Sequence, residues 1–302
     1  ISFKTEFAYL HSGTPKNSGF DNVATVYVDD FEGSETNIDL KDTSSWSLSS
    51  TPYGVEGSQF GIDDLRTGFS RAKLAWYNID PIFYTRQRPS EIDDNELSKN
   101  ETRRIFIEEI FPQQDIIEGQ SRIQNTFDLS FFPKEKGPYN NNLNQDFLQN
   151  SKINWAGITR DLSSTNFEKA NVEFIQFWLL DTFSENDSSS NNLGNLYLNL
   201  GNISEDILKD GKKLYENGLP TVNSQEIVNE SNWGKTPATQ SLIYSFDSDE
   251  NNRVLQDLGY DGLDDVQEID KYDNGSSNDP AGDNYQYYID ANGGILNRYK
   301  NY

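Results

Sequence analysis

Three features of this sequence predict a mainly β fold: an antiparallel β-sandwich or jelly-roll-like domain with a few short helices and an acidic C-terminal appendage. Apolar and polar residues alternate at the strand period of two over 1–10 and 123–131. The run 171–180 is apolar on both faces, as a strand covered from both sides must be. Gly, Pro, Asn and Ser punctuate the chain between such runs, and acidity rises sharply after Phe246.

In the first ten residues Ile1, Phe3, Phe7 and Tyr9 share one face, with Ser2, Lys4 and Glu6 mostly on the other. This is a strand, long enough to cross an outer membrane if tilted, and an ordinary sandwich strand has the same period. A loop rich in Gly, Ser, Asn and Pro follows. Val26, Tyr27 and Val28 mark a strand that ends on Asp29, Asp30 and Glu32 before Gly33. Trp46 and Leu48 mark another, closed by Pro52 and Gly54. Ala72, Leu74, Trp76 and Tyr77 mark a third, ended by Asp80-Pro81. The polar stretch 88–103 reads as loop. Ile105, Phe106, Ile107 and Ile110, just before Pro112, suit a short helix packed by its apolar face. Ile123, Asn125, Phe127, Leu129 and Phe131 then line one face of a strand that Pro133 and Gly137-Pro138 stop.

Within 171–180, Val172, Phe174, Gln176, Trp178 and Leu180 lie on one face, and Ile175, Phe177 and Leu179 on the other. After the polar loop 184–192, Leu196, Leu198 and Leu200 line a second strand, opposite Tyr197 and Asn199. The pair reads as a long-looped hairpin at the heart of the sandwich. Ser204 can cap a following helix, Glu205 and Asp206 suit its dipole, Ile203 can staple onto Leu208, and Gly211 ends or kinks it. A last strand covers 242–246. Three parts result: an amphipathic, barrel-derived strand and linker at 1–20, the sandwich-like domain at 21–240, and an acidic, turn-rich module at 241–302.

The 302 residues are ample for a sizeable core. With 49 acids against 25 Lys and Arg the net charge is −24, yet 13% of residues are aromatic, so the chain folds rather than remaining an acidic tail. Such charge repels phosphate backbones and anionic lipid, so nucleic acid is not an expected partner, whereas divalent cations and basic proteins are. Absence of cysteine excludes disulfides, thiolate metal sites and cysteine nucleophiles. The single histidine, His11, sits in the turn-like run His-Ser-Gly-Thr-Pro and reads as an exposed loop residue, leaving little for a Ser-His-Asp triad. Acids are so abundant that any carboxylate pair is expected by chance, so no enzyme is predicted. No apolar run approaches the roughly 18 residues of a membrane helix. A start at Ile1 and the lack of methionine read as an internal fragment of a longer protein.

One stretch has both the residue types and the spacing of a definite chemistry. In a twelve-residue calcium loop, oxygens come from positions 1, 3, 5, 7, 9 and 12, and Gly at position 6 turns the chain around the ion. Asp257, Asp261, Gly262, Asp265 and Glu268 occupy positions 1, 5, 6, 9 and 12, and Leu263 at position 7 would offer its carbonyl. Gly259 at position 3 has no side-chain oxygen, so the pattern is incomplete and any affinity for Ca2+ is reduced. Asp264, Asp265 and Glu268 equally suit the first turn of a helix.

A series of peptides points to a family. They are Tyr27-Val-Asp-Asp-Phe-Glu-Gly33, Ala75-Trp-Tyr-Asn-Ile-Asp-Pro81, Glu109-Ile-Phe-Pro112, Gly137-Pro-Tyr-Asn140, Phe174-Ile-Gln-Phe-Trp178, Asn199-Leu-Gly-Asn-Ile-Ser-Glu-Asp-Ile207 and Gly218-Leu-Pro220. Asp283-Asn-Tyr-Gln-Tyr-Tyr288 and Arg298-Tyr-Lys-Asn-Tyr302 follow near the end. In order and spacing they resemble the SprA (Sov) family, the giant outer-membrane translocons of the type IX secretion system linked to gliding motility. The resemblance spans almost the whole chain. It implies an internal piece of a β-barrel through which folded cargo leaves the periplasm. It also implies secreted cargo proteins, a PorV-type shuttle and a plug protein as partners, and the polar, acidic body behind an amphipathic opening strand fits a structural and gating part of such a translocon at the extracellular face. It carries no catalytic motif. The alternative is a carbohydrate-binding jelly roll using Trp46, Trp76, Trp155, Trp178 and Trp233, which otherwise serve the core.

Overall fold

A computed structural model of the chain describes residues 39–143, 151–162, 176–182, 194–212, 228–237, 260–272 and 278–302. Two compact units divide the chain, Ile1–Leu40 and Lys41–Tyr302, and every helix and strand among the described residues belongs to the second. The strands expected at 1–10, 25–31 and 242–246, residues 171–175 and His11 lie outside the described residues.

The described strands are β1 (Ser47–Leu48), β2 (Ala72–Tyr77), β3 (Ile105–Phe106), β4 (Ile123–Gln124), β5 (Asp128–Lys136), β6 (Ile158–Thr159), β7 (Val228–Glu230) and β8 (Lys235–Pro237). They pair as four two-stranded sheets, β1 with β6, β2 with β5, β3 with β4 and β7 with β8, each antiparallel. Four short helices accompany them: α1 (Asp94–Ser98), α2 (Ile107–Ile110), α3 (Asp265–Tyr272) and α4 (Ile295–Arg298). The described part is thus sheet-rich with few helices. None of these helices is long and apolar enough to cross a membrane.

The β2–β5 ribbon is the spine. Its register runs from Tyr77 opposite Asp128 to Lys73 opposite Phe132, then shifts so that Ala72 faces Lys136. Pro133 sits in this irregularity, where the extra residues of β5 leave the ladder and a missing N–H costs nothing. Pro133 therefore does not stop the strand, and Gly137-Pro138 does. The apolar face expected over 123–131 is not the core face either. The run divides into β4 and β5, and Leu129 and Phe131 are exposed while Ser130 turns inward to bond the Tyr77 hydroxyl at 2.8 Å.

Each face of β2 meets its own core. Ala75 and Tyr77 join Phe83, Ile92, Tyr288, Ile295 and Tyr299 in one cluster, against which Phe132 packs. Trp76, one residue out of phase, packs against a second cluster of Leu48, Tyr139, Leu208 and Trp233. Asp80-Pro81 ends β2 as expected. The Asp80 carboxylate accepts the Ile82 N–H at 2.8 Å and starts a 3-10 turn, Pro81–Tyr84, that drives Phe83 into the first cluster.

Several elements differ from expectation for local reasons. The polar loop 88–103 contains α1, whose cap Asp93 accepts the Glu96 N–H at 2.8 Å. Its few apolar residues, Leu97 among them, are too sparse to show a period. The helix expected at 104–110 is shortened to α2, because 105–106 pair as β3 and the Glu109 carboxylate accepts the Phe106 N–H at 3.0 Å. Only Ile105 of that apolar set is buried. No helix forms within 201–212. The Asp206 carboxylate instead accepts the N–H groups of Asp210 and Gly211, closing a side-chain turn, although Leu208 is buried. The acidic C-terminal stretch is no separate body among the described residues. Tyr288, Ile295 and Tyr299 share a core with β2.

The largest departure concerns the expected central hairpin. Residues 176–182 and 194–200 carry no strand assignment, and their apolar side chains are open: Trp178 is 71% exposed, Leu179 68% and Leu198 64%. Two-faced apolarity shows that both faces call for cover, and the described part of the chain does not supply it. One end of the first segment is held, by Asn100 donating to the Asp181 carbonyl at 2.7 Å and by Phe111 meeting the edge of Trp178.

Candidate metal centre

The turn that places Asp261 is built by close backbone approach. Gly262 has φ +70, and a side chain there would collide with the Lys235 carbonyl. The hairpin of β7 and β8 thus lies directly on the turn, with the Lys235 N–H donating to the Asp261 carbonyl at 2.7 Å. Asp261, 2% exposed, accepts the Leu263 N–H at 3.0 Å and the Tyr272 hydroxyl at 2.9 Å. Asp264 then starts α3 by accepting the Gln267 N–H at 2.9 Å, and Asp265 and Glu268 fall in the first turn, as the dipole favours.

Glu268 points away from water, 1% exposed, towards the 278–283 loop. Its carboxylate accepts the Ala281 N–H at 2.9 Å. In that loop Asp279 accepts the N–H groups of Gly282 (2.7 Å) and Asp283 (3.2 Å), a side-chain-closed turn that holds the Asp283 carboxylate near Glu268. Lys73 of β2 ties the same loop to the ribbon, donating to the Gly282 carbonyl and to Asn301 Oδ1.

Carboxylate oxygens of Asp261, Glu268 and Asp283 come within 4.8 Å of one another, and Asp265, Glu268 and Asp279 form a second such group sharing Glu268. Asp283 accepts the Tyr260 N–H at 2.8 Å through Oδ2, while Oδ1 is buried with no hydrogen-bond partner. Among the described residues no Lys or Arg makes an ion pair with Asp261, Glu268 or Asp283. Burial first, then repulsion from Asp283, Asp261 and Asp279, pushes Glu268 up to about 8. Burial and the Asp261 charge push Asp283 up to about 7, and burial raises Asp261 as well. So much negative charge out of water calls for a proton or a cation, and the acidic groups could hold a metal ion. An all-oxygen donor set suits a hard divalent ion rather than a soft one.

Of the ligands predicted along one loop, Asp261 and Glu268 meet in the first group and Asp265 joins Glu268 in the second. Asp265 also accepts from the Asn284 side chain at 2.9 Å. Leu263 is buried and engages Asp261 through its N–H. Asp257 lies outside the described residues. Sequence reasoning missed Asp279 and Asp283. Their signal was present in Asp279-Pro-Ala-Gly-Asp283, two acids on either side of a Pro/Gly turn. No sequence spacing connects that turn to Asp261, because tertiary packing brings the two together.

The tryptophans are mostly engaged. Trp46 stacks on Phe127 at 5.5 Å, the Arg71 guanidinium lies over Trp155, Trp233 is buried and Trp76 packs against the second core cluster, so only Trp178 presents an open ring. No protein-family model matches the chain, and no curated protein matches it.

Proposed function

We propose that this chain is a segment of an outer-membrane protein-export translocon of the type IX secretion type, with a structural and gating role. The exposed apolar segments at 176–182 and 194–200 carry this reading. In extended form seven residues would reach roughly 23 Å, and a tilted membrane strand takes about 9–11 residues, so each segment would form the inner part of such a strand. Leu179, Leu180, Leu196, Leu198 and Leu200 are all open to solvent, an arrangement suited to hydrocarbon and costly in water. The acidic remainder then stands outside the bilayer as a soluble, sandwich-like or jelly-roll-like body at the extracellular face. Secreted cargo, a PorV-type shuttle and a plug protein are its partners through the family resemblance. Ca2+ is the ion assigned to the carboxylates of Asp261, Glu268 and Asp283, where it ties α3 to the 278–283 loop and has no catalytic part.

Because the chain has no cysteine, a Leu198→Cys variant offers one labelling position within it, unique once any cysteine elsewhere in the parent protein is replaced. With a spin label there, in outer membranes carrying the parent protein, collisions with apolar oxygen are expected to exceed those with a water-soluble nickel chelate. The reverse ratio would sink the membrane assignment. A carbohydrate-binding module is the alternative, and with one open tryptophan it has a single stacking platform to offer.

A further inference from the structure

We draw no further inference here: the strongest candidate, the buried carboxylate cluster of Asp261, Glu268 and Asp283 between α3 and the 278–283 loop, belongs to the site already described.

Discussion

Two buried places draw on the C-terminal part of this chain, and they are finished in opposite ways. In the aromatic cluster around Phe83, the tyrosines bury their rings and still satisfy their hydroxyls. Tyr77 bonds Ser130, Tyr288 donates to the Asp80 carboxylate, and Tyr299 accepts the Asp80 N–H. The rings themselves stack, Tyr77 on Tyr299 at 4.1 Å and Tyr288 on Tyr299 at 4.7 Å. In the carboxylate cluster the backbone supplies some donors, but Asp283 Oδ1 has none and three acids face one another. The first place is complete as folded. The second depends on what the solution provides, because an unpaired buried charge costs far more than an unmade contact between apolar groups.

Truncating the complete place should have the largest effect. Phe83→Ala removes a fully buried ring and is expected to destabilise by about 3–5 kcal/mol in urea denaturation, in the presence or absence of calcium. If the loss were under about 1 kcal/mol, the cluster would not be the core it is described as. Filling the incomplete place comes next. Calcium at a hundred times its dissociation constant should stabilise by about 2.7 kcal/mol, seen as a rise in melting temperature that Asp283→Asn abolishes. No shift at millimolar calcium would leave a proton as the neutralising partner.

Glu268→Gln sharpens the contrast, since altering a side chain this deeply buried should normally destabilise. In calcium-free buffer at pH 8 it is expected instead to stabilise by about 1–3 kcal/mol, by deleting a charge that burial and its neighbours oppose.

The pH dependence follows from the same raised groups. Between the ordinary carboxylate range and about 8, the folded state holds protons on Glu268 and Asp283 that the unfolded chain has released. Their contribution is therefore full below the unfolded values and is lost as pH rises through about 7 and 8. Calcium-free stability should fall over that window, and bound calcium should flatten the fall. Chemical denaturation at a series of pH values reads both.

The smallest effect is expected at the edge of the aromatic cluster. Burial raises Asp128, opposite Tyr77 in the ribbon, to about 6. Asp128→Asn should change stability by only about 1 kcal/mol or less at pH 5, while removing the loss that the wild type shows as pH rises through 6. A variant that kept the slope would place its origin elsewhere.

Legibility in the sequence followed the range of the interaction concerned. β1 and β2, the cap and proline that end β2, and the acidic first turn of α3 were readable, because period and capping act within a few residues. The split of 104–110 was not, since β3 forms only by pairing with β4, and neither was Pro133 inside β5, which depends on a register shift against β2. Of the two acidic groups, Asp261, Asp265 and Glu268 lie on the loop that the spacing singled out, whereas Asp279 and Asp283 do not.

By itself, then, the sequence determined the mainly β character, the turn at Gly262, the helix start at Asp264 and an acidic stretch suited to a hard cation. Only the tertiary structure decided that Asp283 faces Glu268, that Trp76 and Tyr77 serve two different cores, and that the apolar runs at 176–182 and 194–200 stay open. The physical reason is common to all three. Local chemistry specifies what a side chain requires, and long-range packing determines which groups are near enough to provide it.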